Sequence, residues 1–213
     1  MKLLIVAATQ AEIDPLLTYF AFDGSSLQVT KHQVDVLITH VGMVPTAFAL
    51  GGKLAHHHYD LAINLGIAGS FVEDIAIGDV VYVTQDVFAE WGAENHDDFI
   101  SIDSLGFGES VHLASNLPLL TKIPLKNVIG ITVNKVHGNE VSIKNTLVRL
   151  RLQPQIESME GAAFLYACNQ RAIDCVQIRA ISNWVEPRNR QNWNITLAIK
   201  NLNQFAIKFL ENI

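Results

Sequence analysis

The feature that most constrains this chain is a series of apolar runs that do not alternate, at residues 3–8, 34–41, 61–65, 80–83, 128–133 and 175–181, each bounded by turn residues. A strand with one wet face alternates polar and apolar side chains, so these runs predict strands covered on both faces. Helical spacing fills the intervals, over 11–20, 45–58, 142–150, 159–170 and 194–213. The last is clearest, because Ile195, Ala198, Leu202, Phe205, Phe209 and Ile213 recur at three- and four-residue steps and so share one helix face. Strands interleaved with helices predict an α/β fold, a three-layer α/β/α sandwich on a mixed central sheet, with the ligand crevice at the carboxyl ends of the strands. The 213 residues suit one domain, 1–213, with a sizeable core.

Composition narrows the partners. Nearly half the residues (49%) are hydrophobic and only 17% are charged, more apolar than an average domain, which predicts a subunit interface and hence a homodimer or higher homo-oligomer. A net charge of −6 with scattered cations argues against nucleic acid and anionic membrane surfaces. No stretch approaches the roughly 20 apolar residues that span a bilayer. The opening run passes at once into Gln10, Glu12 and Asp14, so it reads as a first strand rather than a signal segment. Cys168 and Cys175 sit in apolar segments and read as reduced core thiols, which suits the cytoplasm. Residues 94–118, rich in Gly, Ser, Asp and Asn, read as a long loop.

Five segments follow apolar runs with polar residues or glycine where a crevice would lie: 8–12, 66–69, 134–139, 157–161 and 181–183. The pair Gly66 and Gly69 reads as a turn made for close backbone approach, without dinucleotide-fingerprint spacing. Ser158 suits a helix N-cap, which puts Glu160 in a first turn where the helix dipole favours a carboxylate. Such a carboxylate can accept from two vicinal hydroxyls or simply stabilise the helix. His56, His57 and His58 point in different directions on a helix end, so no metal and no organic cofactor is expected.

Taken in order, residues 3–12, the run Ile63-Asn64-Leu65-Gly66-Ile67-Ala68-Gly69, Gly78-Asp79-Val80-Val81, Met159-Glu160 and Arg179-Ala180-Ile181-Ser182 resemble the nucleoside phosphorylase/nucleosidase family over nearly the whole chain. Within it, Ser182-Asn183-Trp184-Val185-Glu186-Pro187-Arg188-Asn189-Arg190, with residues 132–138 upstream, is similar to the futalosine hydrolases of menaquinone biosynthesis. The resemblance implies cleavage of a purine nucleoside at its N-glycosidic bond. It makes Glu12 the residue that deprotonates water and Glu160, with Met159 beside it, the acceptor for the ribose hydroxyls. Ala68, Gly69, Val136 and His137 fall where the family packs the base, and Trp193 where it covers the nucleoside. Ala8 and Ser182 border the same crevice, and Arg188 is a candidate for a carboxylate on the substrate's far end.

Asn183 departs from the adenosine-type nucleosidases, which carry Asp there. An amide offers N–H donors, suited to the acceptors N7 and O6 of a 6-oxopurine such as hypoxanthine. Family phosphorylases grip phosphate with arginines from the N-terminal half. Here the first arginine is Arg149, leaving Lys31 and Lys53 as point charges, so water is favoured as nucleophile. The alternatives are a methylthioadenosine/S-adenosylhomocysteine nucleosidase, a purine nucleoside phosphorylase, and a catalytically silent nucleoside binder, against which the presence of both Glu12 and Glu160 counts.

Overall fold

A computed structural model describes residues 1–22, 24, 27–29, 32–96, 98–117, 125–150 and 152–213. The six apolar runs are strands: β1 (Lys2–Ala7), β3 (His32–Ile38), β4 (Leu61–Ser70), β5 (Val80–Phe88), β9 (Lys126–Thr132) and β11 (Cys175–Trp184). Short strands β2 (Leu27–Val29), β8 (Val111–Leu113) and β10 (Ile156–Ser158) complete a nine-stranded mixed sheet, in the order β10-β9-β5-β11-β4-β1-β3-β2 with β8 on β5. Its helices are α1 (Asp14–Tyr19), α2 (Met43–His56), α3 (Ile102–Leu105), α4 (Glu140–Leu150), α5 (Gly161–Asn169) and α6 (Ile195–Asn212).

The lack of alternation in β1 has a direct cause. Leu3, Ile5 and Ala7 face Leu16 and Leu17 of α1 and the α6 stripe of Ala198, Leu202, Ala206 and Phe209. Leu4 and Val6 face Leu50 and Leu54 of α2 and Phe164, Leu165 and Cys168 of α5. Two helical layers thus sandwich the sheet, and both strand faces must be apolar. The sandwich expectation holds, with one addition: β10 pairs parallel to β9 and antiparallel to β4, so β10, β9, β5, β11 and β4 close on themselves. No helix among the described residues is long and apolar enough to cross a membrane.

Four sequence readings need correction. Gly66 to Gly69 is not a turn but the continuation of β4, paired in parallel with β11 as far as Ser70. A Cβ on Gly66 would collide with the guanidinium of Arg179, and one on Gly69 would come within 2.8 Å of Val185 Cγ2, so these glycines make room for side chains across the strand pair. The predicted helix at 11–20 is a 3₁₀ turn (Gln10–Glu12) followed by α1, which has a proline in its first turn. The helix predicted from residue 159 starts at Gly161. Glu160 is its N-cap residue, while Ser158, ending β10, accepts from Gly161 N at 3.3 Å.

The composition of residues 94–118 predicts a loop. Instead β6 (Gly92–Asn95) and β7 (Asp98–Ser101) form a hairpin, followed by α3 and by β8 on β5; Pro118 lies outside the described residues. Four-residue strands are too short for a period to register, and their order comes from tertiary contacts such as the Arg149 guanidinium 4.4 Å from the Phe99 ring centre.

Candidate active site

The carboxyl ends of β1, β4, β10 and β11 surround a cavity of about 310 Å³. Its wall contains Ala8, Glu12, Ala68, Gly69, Val136, His137, Met159, Glu160, Ser182, Asn183 and Trp193, every site residue expected from the sequence except Arg188. That arginine packs instead on Trp193 of the wall: the guanidiniums of Arg188 and Arg190 lie 5.4 and 6.0 Å from its ring centre.

Glu12 enters from the 3₁₀ turn after β1 and is 7% exposed. One carboxylate oxygen accepts from Thr9 N at 2.9 Å and from Thr9 Oγ1 at 3.0 Å; the other accepts from Ile67 N at 3.2 Å. The first contact is half of a capping box, in which an acid three residues into the turn satisfies the N-cap amide. Glu160 is held from further away. Its Oε1 accepts from Gly42 N at 2.9 Å, and its Oε2 lies 3.6 Å from Arg179 Nη1. Gly42 has φ 107°, a conformation that suits glycine, and it turns its amide toward the carboxylate as α2 begins.

Arg179 is 1% exposed in mid-strand, where an unpaired charge would be costly. It is flanked by Glu160 and, across Gly66, by Glu12, and its Nη2 donates to Asn64 Oδ1 at 2.6 Å. One buried cation therefore lies between two carboxylates of the cavity wall. In the sequence Arg179 stands in the 179–182 run that resembles the family, with no role of its own. The signal was a charge inside an apolar run.

Glu157, in the 157–161 segment expected at the crevice but given no role there, lines the cavity. It accepts from His137 N at 2.9 Å, and its other oxygen lies 2.5 Å from His137 Nδ1, while His137 Nε2 meets Thr146 Oγ1 at 2.9 Å. With both ring nitrogens engaged, His137 offers a bound base its ring rather than a donor or acceptor. Asn183 sits at a register shift in the β11–β4 pairing. Its Oδ1 accepts from Ser182 Oγ at 2.8 Å and its Nδ2 donates to the Trp184 carbonyl at 2.8 Å, leaving one N–H for the cavity rather than two.

Lys53 pairs with Asp35 at 3.4 Å, and Lys31 lies outside the described residues. Among the described residues the cavity wall carries no Lys or Arg, and no group of three or more His, Cys, Asp or Glu is placed to hold a metal ion. His56, His57 and His58 are exposed at the end of α2.

The fold is thus a mixed α/β sheet with an acidic cavity at the carboxyl ends of its strands. The chain belongs to the phosphorylase superfamily, whose family model matches residues 2–211. It is 30% identical to the futalosine hydrolase of Streptomyces coelicolor over 93% of this chain and 91% of that one. Its backbone superposes on a Helicobacter pylori 5′-methylthioadenosine/S-adenosylhomocysteine nucleosidase with a TM-score of 0.86 at 18% identity, covering 100% of this chain and 99% of that one. The native structure of a Helicobacter pylori futalosine hydrolase gives 0.85 at 16% identity, with 100% and 98% covered. At those identities the two structures speak for the fold alone.

Proposed function

We propose that the protein hydrolyses the N-glycosidic bond of futalosine, releasing hypoxanthine and dehypoxanthine futalosine, a step of menaquinone biosynthesis. The observation that carries the reading is one cavity walled by Glu12, Glu160 and the Asn183 amide, in a chain similar to a futalosine hydrolase over nearly all its length.

Cleavage of a nucleoside passes through a ribosyl-cation-like state, which needs an acceptor at the ribose, a base for water and a donor to the leaving purine. In our reading Glu160 accepts from the ribose hydroxyls, with Ala8 and Met159 against the sugar. Glu12 takes the proton of the attacking water. Asn183, oriented by the Ser182 hydroxyl and the Trp184 carbonyl, donates its free N–H to the 6-oxopurine, which packs among Ala68, Gly69, Val136 and His137 under Trp193. A wall bearing Glu12, Glu157 and Glu160 repels phosphate, which favours water as nucleophile. The same repulsion keeps the benzoate carboxylate of futalosine outside, where Arg188 and Arg190 flank Trp193.

The reading extends to a cytoplasmic homodimer or higher oligomer. Val44 and Phe48 of α2 are 72% and 85% exposed, beside an apolar groove lined by Met43, Phe88, Trp91 and Tyr166 that a second copy would cover. The test is a substrate panel of futalosine, inosine and methylthioadenosine, with and without phosphate, read as free base. Hypoxanthine from futalosine without phosphate is expected. Adenine from methylthioadenosine as the preferred reaction, or phosphate-dependent sugar 1-phosphate, would overturn the reading.

A further inference from the structure

Beneath the cavity, and outside its wall, lies a carboxylate that the proposed chemistry does not use. Asp86 of β5 is completely buried. Its Oδ1 accepts from Thr132 Oγ1 at 2.8 Å and its Oδ2 from Gln177 Nε2 at 2.9 Å. Thr132 in turn accepts from Ala162 N, in the first turn of α5, at 2.7 Å. A threonine hydroxyl has one proton; because Asp86 takes it, a lone pair faces the helix amide. Gln177 Oε1 has no partner among the described residues, so the orientation of that amide is set by Asp86.

The space for the carboxylate is made by glycines. A Cβ on Gly161 would collide with Asp86 Oδ2 and with Gln177 Nε2, and one on Gly130 would lie 3.0 Å from Asp86 Oδ2. Gly161 follows Glu160 directly, so the start of α5 is pressed on the Asp86–Gln177 pair at the residue next to the proposed ribose acceptor. The Thr132–Ala162 bond pins the next residue.

We infer that Asp86 is a positioning residue: through the Thr132 hydroxyl and the packed Gly161 it fixes the first turn of α5, and with it the aim of the Glu160 carboxylate at the ribose hydroxyls. The inference rests on the proposed role of Glu160. A positioning defect differs from a general loss of folding because it erodes one recognition selectively. A misplacement of about 1 Å costs on the order of a hundredfold in rate, and here the loss falls on the substrate whose 2′-hydroxyl Glu160 reads.

The experiment measures the ratio of kcat/KM for futalosine to that for its 2′-deoxy analogue in the parent, Asp86→Asn, Thr132→Val and Thr132→Ser, each checked for folding by circular dichroism. The parent should prefer the ribo substrate. In Asp86→Asn and Thr132→Val the ratio should fall about tenfold or more, whereas Thr132→Ser, which keeps the hydroxyl, should retain it. If Asp86→Asn does not fold, the valine and serine pair decides alone. A ratio unchanged in Thr132→Val overturns the inference and leaves the proposed function standing. A parent that cleaves futalosine but ignores the 2′-hydroxyl overturns the inference together with the assignment of Glu160, and a parent that does not cleave futalosine fails the proposed function itself.

Discussion

Glu12 and Glu160 line the same cavity and are held in opposite ways. Glu12 is fixed mainly by its own neighbourhood, Thr9 three residues earlier, with one reach to Ile67. Glu160 depends on partners far along the chain: Gly42, 118 residues away, the Arg179 cation, and the Asp86–Thr132 support under α5. A locally held group tolerates change elsewhere in the fold. A remotely held one carries the errors of every element that reaches it. That contrast fits the roles proposed for them, a single placed base at Glu12 and a sugar acceptor at Glu160.

The largest effect is expected where the contrast matters least, at the chemistry. Glu12→Gln keeps an oxygen for the Thr9 amide but removes the proposed base, so kcat should fall about a hundred- to ten-thousandfold while substrate binding persists. Single-turnover kinetics with an independent binding measurement would check it, and near-parental turnover would remove Glu12 from the mechanism.

The contrast itself breaks or holds on a pair of small substitutions. Gly161→Ala drives a methyl group into Asp86 and Gln177 and should shift the start of α5, lowering kcat/KM about a hundredfold. Thr9→Ala removes one hydroxyl contact to Glu12 but leaves the Thr9 amide in place, a loss of about 1 kcal/mol, or several-fold. If Thr9→Ala proved the more damaging, the distinction between local and remote support would fail.

Much of this was legible in the sequence, and the misses share the same division. The runs at 3–8 and 175–181 were readable because burial on both faces removes alternation, a property each strand carries in its own residues. Glu12 lay in a segment after the first strand, but its role came only from the family resemblance, and its anchor on Thr9 three residues earlier went unread. The glycines at 66 and 69 were misread because glycine looks the same in a turn and opposite a large side chain. Only the β4–β11 pairing distinguishes the two, by setting Arg179 against Gly66. Glu157, Arg179 and Asp86 act through partners 20 to 115 residues away, and no local pattern encodes those distances.

Acid sharpens the comparison, since a buried acid underlies the Glu160 side. Burial pushes the Asp86 carboxyl up to about 6, with donation from Gln177 and Thr132 and the charge of Arg179 opposing the shift only in part. A carboxyl raised above its unfolded value of 3.8 favours folding most when protonated. Its contribution is complete below pH 3.8 and is lost as the pH rises through about 6. The stability of the parent relative to Asp86→Asn should therefore decline by about 1 to 3 kcal/mol across that window and then level off. Urea unfolding of both proteins between pH 4 and 7 measures it; a parallel pair of curves would mean that Asp86 is not the raised group.

An effect as small as that of Thr9→Ala should come from Asn183, which is held by its immediate neighbours, as Glu12 is by Thr9. One Nδ2 proton is committed to the Trp184 carbonyl and Oδ1 accepts from Ser182, so only the second N–H can meet a base. In Asn183→Asp an ionised carboxylate would set an oxygen against that carbonyl. Protonated, it has a single O–H, which satisfies either Trp184 or the base and not both. Ionised, the side chain gives a 6-oxopurine no donor, and protonated it gives one only by abandoning the Trp184 carbonyl, while a 6-amino group gains an acceptor. One neutral hydrogen bond exchanged at a partly buried position is worth about 1 kcal/mol. The ratio of kcat/KM for futalosine to that for its 6-amino counterpart should accordingly drop several-fold to about tenfold. A ratio that stays put would mean that the Asn183 amide serves the bend in β11 through Ser182 and Trp184 and does not read the base.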